Sequence, residues 1–178
     1  MSLERTADVQ PFPDAAFADV LEANEQYVAR HPESELTGWA ARGLAVVTCM
    51  DSRIAPLSVL GMQPGDAKIL RNAGARVTED VLRTLVLATY LLGVTRVLVM
   101  PHTGCKMASG PEAEVHQAIL EQHGVDTRSV EFRTVSDQRA ALITDVTRVR
   151  SYPLLPAGLV VGGAILDIRS GRLEPIEA

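Results

Sequence analysis

The chain has 178 residues, 47% of them hydrophobic, and carries 17 Lys and Arg against 22 Asp and Glu, a net charge of -5. That length can bury one good-sized core, so a single domain over 1–178 is expected, with an N-terminal arm and helix over 1–32. The acidic balance gives no electrostatic footprint for nucleic acid, and no apolar run reaches the roughly 18 residues of a membrane span. Glu4, Arg5 and Asp8 stand where a signal peptide needs an apolar stretch, so a soluble, cytoplasmic protein is expected.

Residues 1–11 have no period and read as an arm. Asp14 to Arg30 read as a helix, with Phe17, Val20, Leu21, Asn24, Tyr27 and Val28 spaced for one face and His31-Pro32 to stop it. Leu44 to Thr48 is an apolar run of the kind that makes a buried strand. Ile54 to Leu60 reads as a short helix ended by Gly61, with Pro56 tolerable in its first turn. Gln63-Pro64-Gly65-Asp66 is turn chemistry, and Ala67 to Arg71 is the second strand. Glu79 to Leu92 is a strong helix that Thr78 can cap. Strand three, from Arg96, leads to His102. A helix over Ala113 to His123 ends at Gly124. Val130 to Val135 is a poorer strand, to be read as a loop or an edge. Asp137 to Ser151 is helical, Leu159 to Leu166 is the last long strand, and 168–173 turns back as a hairpin. The β-α-β-α-β order argues an α/β fold with a mainly parallel sheet flanked by helices. No Gly-x-Gly-x-x-Gly follows a strand and no Walker pattern is present, so no nucleotide cofactor is expected.

The chain has two cysteines, and each sits just past a buried run beside other ligand-type side chains. The first run ends in Cys49-Met50-Asp51-Ser52-Arg53, the second in His102-Thr103-Gly104-Cys105. If strand geometry persists past Val47, period two puts Cys49, Asp51 and Arg53 on one side. Three readings of the cysteines compete. They are core residues packed as small hydrophobes, or a disulfide, against which a reducing cytosol argues, or two ligands of one metal. In the third, Cys49, His102 and Cys105 make a thiolate–imidazole–thiolate set, which selects zinc and leaves a fourth position open. His31, His116 and His123 lie in polar contexts and read as solvated. Taken alone, Asp51 reads as a cap of the helix at Ile54 and Arg53 as a surface charge.

In order and spacing, the two motifs resemble the Cys-x-Asp-x-Arg … His-x-x-Cys signature of the β-class carbonic anhydrases. Gln63-Pro64-Gly65-Asp66 and Arg71-Asn72-Ala73-Gly74 resemble that family's connecting segment. Gly162-Gly163-Ala164-Ile165-Leu166-Asp167 with Gly171-Arg172-Leu173 resembles its last strand and hairpin. The likeness covers roughly residues 40 to 178. It implies zinc on Cys49, His102 and Cys105, and reversible hydration of CO2 to bicarbonate by zinc-bound hydroxide. It also implies that Asp51 orients the hydroxide, that Arg53 holds Asp51, and that the N-terminal helix packs on a partner subunit of a homodimer or homotetramer. Members of the same fold hydrolyse carbonyl sulfide or carbon disulfide, which is the alternative activity; a zinc-bearing regulatory or anion-binding protein without turnover is a third. The chain departs from the family pattern at Ala40, where plant-type members carry Gln, and at Lys106, where many have Gly. Its aromatic content, 4%, is low for the aromatic pocket walls of some relatives.

Overall fold

The computed structural model describes residues 11–31 and 35–178. Most of the expected arm, and Pro32 as a helix stop, therefore lie outside the described residues. Two compact units divide the chain, one up to Leu36 and the other from Thr37 to Ala178. In the first, a 3₁₀ turn (Asp14–Ala16) leads into α1 (Ala18–Val28), within the predicted helix. The rings of Phe12 and Phe17 stand 5.3 Å apart there, and His31 stacks on Tyr27.

The second unit runs β1 (Leu44–Cys49), α2 (Pro56–Val59), β2 (Ala67–Asn72), α3 (Glu79–Leu91), β3 (Arg96–Met100), α4 (Glu112–His123), α5 (Gln138–Arg150), β4 (Val160–Leu166), β5 (Leu173–Ile176). Thr78 caps α3 by accepting the Val81 N–H, and Asp137 caps α5 by accepting from Arg139 and Ala140. Gly93 follows α3 with φ +76°, and its bare Cα leaves room for the Trp39 ring, which a Cβ would meet at 2.1 Å.

The strands lie in the order β2-β1-β3-β4-β5. The first four are parallel and β5 returns antiparallel on β4, so the sheet is mainly parallel, as predicted. β1 is buried at every residue, and the two apolar clusters meet at it. Ala45 and Val47 pack with Leu82, Leu85, Leu142 and Val146; Leu44 and Val46 pack with Ile54, Met100 and Leu166. From β1 the chain moves outward to β2, then returns across β1 to β3. That reversal of strand order falls between β1 and β3, and the carboxyl ends of strands at such a point are where α/β sheets bind ligands. Among the described residues, no helix is long and apolar enough to cross a membrane.

Two local expectations are corrected, and one left open is decided. β1 stops at Cys49, and Met50 to Arg53 form a turn, so extended strand geometry is not what aligns Asp51 and Arg53 with Cys49. The helix after that turn starts at Pro56, two residues later than predicted, and Asp51 closes the turn instead of capping it. Val130 to Val135 is a loop. Its Arg133 takes φ +60°, and the N–H groups of Phe132, Arg133 and Thr134 converge on the Glu112 carboxylate at 3.0, 2.7 and 3.4 Å. A left-handed residue cannot continue a strand, and this carboxylate replaces the ladder partner.

Candidate metal centre

Cys49 ends β1. His102 and Cys105 follow β3 in the turn after Pro101, which has no N–H to donate, though its carbonyl accepts from Leu166 at 2.9 Å. That turn is held from β4: Leu166 bridges to His102, its carbonyl accepts the Thr103 N–H at 2.9 Å, and the Ile168 N–H reaches Thr103 Oγ1 at 3.1 Å. From the start of α5, Gln138 Nε2 donates to the His102 carbonyl at 2.8 Å. Three elements thus converge on one short turn.

The outcome is that one sulfur of Cys49, one of Cys105 and one ring nitrogen of His102 lie within 4.8 Å of one another, all three residues buried. The sulfurs are 3.9 Å apart, far beyond the ~2.05 Å of a disulfide. Two thiolates at about 2.3 Å from a tetrahedral centre would stand roughly 3.8 Å apart. His102 settles the tautomer. Its Nδ1 lies 2.9 Å from the Thr103 carbonyl, which can only accept, so Nδ1 carries the hydrogen and Nε2 a lone pair. That Nε2 is buried without a hydrogen-bond partner among the described residues. A buried acceptor left unmatched costs about 1–3 kcal/mol, and a cation facing the two sulfurs removes the mismatch.

Electrostatics lead the same way. Burial pushes the Cys105 thiol up, the Met107 N–H opposes this, and the Cys49 sulfur adds to it. A thiol raised in this way resists ionisation until a positive centre stands beside it. Asp51 lies at the edge of the set, with Oδ2 3.7 Å from His102 Nε2. Arg53 holds it by both oxygens, Nε to Oδ1 at 2.9 Å and Nη2 to Oδ2 at 2.6 Å, while its backbone N–H also reaches Oδ1 at 3.0 Å. These bonds hold the Asp51 carboxyl well below the usual carboxylate range. Arg53 Nη2 reaches on to the Gly104 carbonyl at 3.2 Å, which links the two motifs directly.

Residues 44–173 match the family described as carbonic anhydrase, well over half of the chain. The chain belongs to the β-carbonic anhydrase family. Beta-carbonic anhydrase 1 of Mycobacterium tuberculosis is 31% identical over 139 residues, covering 76% of this chain and 83% of that protein. A crystal structure of carbonic anhydrase from Streptococcus mutans superposes with a TM-score of 0.85 at 33% identity, covering 94% of this chain and all of that one. A carbon disulfide hydrolase of an Acidianus strain is 30% identical over 157 residues, covering 75% of this chain and 76% of that protein.

The structure thus brings all five predicted site residues together at the carboxyl ends of β1 and β3. Sequence reasoning missed Arg71, whose guanidinium donates to the carbonyls of Cys49 and Asp51, and Gln138 on His102. Arg71 stands in the connecting segment with nothing local to give it a role, and Gln138 stands in no motif that local spacing singles out. His116 is a correction of another kind. It is not solvated: its Nδ1 lies 2.9 Å from Thr127 Oγ1 and its ring 5.1 Å from that of Phe132. Ala40 is buried in the core, its N–H on the Leu92 carbonyl, and Lys106 begins a 3₁₀ turn past Cys105.

Proposed function

We propose that this chain is a zinc-dependent carbonate dehydratase, a lyase that interconverts CO2 and water with bicarbonate and a proton. The observation that carries the reading is the buried, unpartnered Nε2 of His102 facing the sulfurs of Cys49 and Cys105. Soft thiolates with a neutral imidazole suit zinc, and three protein donors leave a fourth position for solvent. Bound there, zinc would supply the Lewis acidity that makes water a nucleophile near neutral pH.

The chain's own residues divide the remaining tasks. Cys49 and Cys105 would hold a divalent ion as thiolates and cancel its formal charge. His102 would bind it through Nε2, its ring held by the Nδ1 contact to the Thr103 carbonyl. Asp51, kept ionised by Arg53, accepts a hydrogen from the attacking water and so points that oxygen's lone pair at the CO2 carbon. Arg53 is a positioning residue, because it acts by holding Asp51. The proton released goes to buffer.

Hydrolysis of carbon disulfide or carbonyl sulfide at the same residues is the second reading, supported by the similarity to the Acidianus hydrolase. It would consume two waters per carbon disulfide and release CO2 and two molecules of hydrogen sulfide. Stopped-flow CO2 hydration by the zinc-loaded chain, run beside a sulfide-release assay, separates the two. Hydration with no sulfide release supports the dehydratase. Sulfide release without hydration supports the hydrolase, and inactivity in both with zinc bound refutes each.

The chain works, in this reading, as a homodimer or homotetramer. The stripe of Phe17, Val20, Leu21, Tyr27 and Val28 along α1 supports a helix that packs on the partner subunit. The net charge of -5 supports a protein without a nucleic-acid partner.

A further inference from the structure

The ladder that delivers β1 to the site ends unevenly. On one side, β2 stays paired through Cys49↔Asn72, and the Met50 N–H still donates to the Asn72 carbonyl at 2.9 Å. On the other, pairing with β3 stops at Thr48↔Met100, and the residue that follows β3 is Pro101, with no N–H to offer. The backbone from Cys49 to Asp51 thus leaves the sheet at a point where Cys49 is buried. An unpaired buried carbonyl there would cost as much as a lost hydrogen bond. Met50, between the two, is 66% exposed.

A single side chain takes up both carbonyls. Arg71 of β2 donates Nε to the Cys49 carbonyl at 2.9 Å and Nη2 to the Asp51 carbonyl at 2.6 Å. We propose that Arg71 is a positioning residue for the metal centre, holding the Cys49–Asp51 backbone so that the Cys49 sulfur and the Asp51 carboxylate face one point. The inference rests on reading Cys49, His102 and Cys105 as metal ligands. Arg53 does not take up these carbonyls: it grips the Asp51 carboxylate and the Gly104 carbonyl. Arg71 comes from the neighbouring strand, opposite Thr48, and so refers the turn to the sheet. The task needs a planar fork that spans two acceptors; a lysine ammonium offers one compact point.

The test compares full-length wild type, Arg71→Ala and Arg71→Lys. A control is Arg128→Ala, whose side chain pairs with Asp126 on the surface. Three readouts apply: zinc affinity by chelator competition, the visible spectrum of the cobalt-substituted protein, and the Tm gap between metal-loaded and metal-stripped forms. Loss of a supporting residue of this kind should weaken metal affinity about 10- to 100-fold. Arg71→Ala should also change the cobalt spectrum and narrow the Tm gap, with Arg71→Lys shifted the same way and Arg128→Ala unchanged. A merely structural arginine would lower both Tm values equally and leave affinity and spectrum as in wild type; that result overturns the proposal. If Arg71→Ala does not fold, wild-type affinity and spectrum in Arg71→Lys overturn it. Wild type that binds no zinc would instead refute the metal reading itself.

Discussion

Arg76 and Asp145, 69 residues apart in sequence, form an ion pair at 2.7 Å with side chains only 18% and 5% exposed. Arg76 follows the turn after β2, and Asp145 lies in the middle of α5. The same guanidinium donates Nη1 to the Arg133 carbonyl at 3.0 Å, so one side chain joins α5, the β2 end and the loop over 131–134. Near it, the Asn72 amide exchanges two hydrogen bonds with the Arg76 backbone, at 2.7 and 2.9 Å.

Breaking that pair from one side should be severe. Asp145→Ala leaves Arg76 buried without its counter-charge, and such losses cost about 3–5 kcal/mol. Urea unfolding monitored by circular dichroism should show the midpoint fall sharply. A midpoint within error of wild type would mean that water reaches Arg76 freely.

The Glu112 carboxylate gives a pH dependence whose sign follows from its bonds. The N–H groups of Phe132, and then of Arg133 and Thr134, pull it below the ordinary value of 4.5. A carboxylate depressed in the folded state stabilises the fold above its unfolded value, and that contribution is lost as pH falls through the folded one. Glu112→Gln should therefore lower Tm at neutral pH and flatten the acid limb below about 4.5. Hydrogen exchange at Phe132, Arg133 and Thr134 should speed up in that variant. Unchanged exchange there would disconnect the loop from Glu112.

Two adjacent glycines of β4 should behave oppositely. A Cβ on Gly163 would meet Leu142 Cδ1 at 2.9 Å and Val146 Cγ2 at 3.0 Å, whereas one on Gly162 would meet nothing within 4 Å. Gly163→Ala should overpack the α5 side of the sheet and cost about 1–3 kcal/mol. Gly162→Ala should be close to neutral. Equal effects in thermal melts would show that α5 is free to move away from the sheet.

Arg53→Ala should lower kcat/KM for CO2 by roughly 10- to 150-fold, the range for a lost hydrogen bond to a charged group, with zinc content retained. Arg53→Lys should recover little, because lysine cannot grip both Asp51 oxygens and the Gly104 carbonyl together. Stopped-flow kinetics beside elemental analysis decides this. Near wild-type turnover in Arg53→Ala would return Arg53 to the role of a surface charge.

Much of this protein is determined by short-range pattern. The apolar runs at 44–49 and 96–100, the three- and four-residue spacing in 79–91 and the cap Thr78 are local signals, and each produced its element. Cys49, His102 and Cys105 were legible as candidate ligands because a strand end is an exposed place to find ligand-type residues after a buried run, whereas the roles of Asp51 and Arg53 came only with the family resemblance. Tertiary structure alone decided which distant atoms meet. The reach of Arg71 to two carbonyls depends on the β1–β2 register, and Gln138 meets His102 only because α5 packs against this end of the sheet. Arg133 adopts a left-handed backbone around a carboxylate some twenty residues earlier in the chain. Such contacts join residues with no fixed spacing in sequence. Their geometry follows from strand order and helix packing, which periodicity along the chain does not encode.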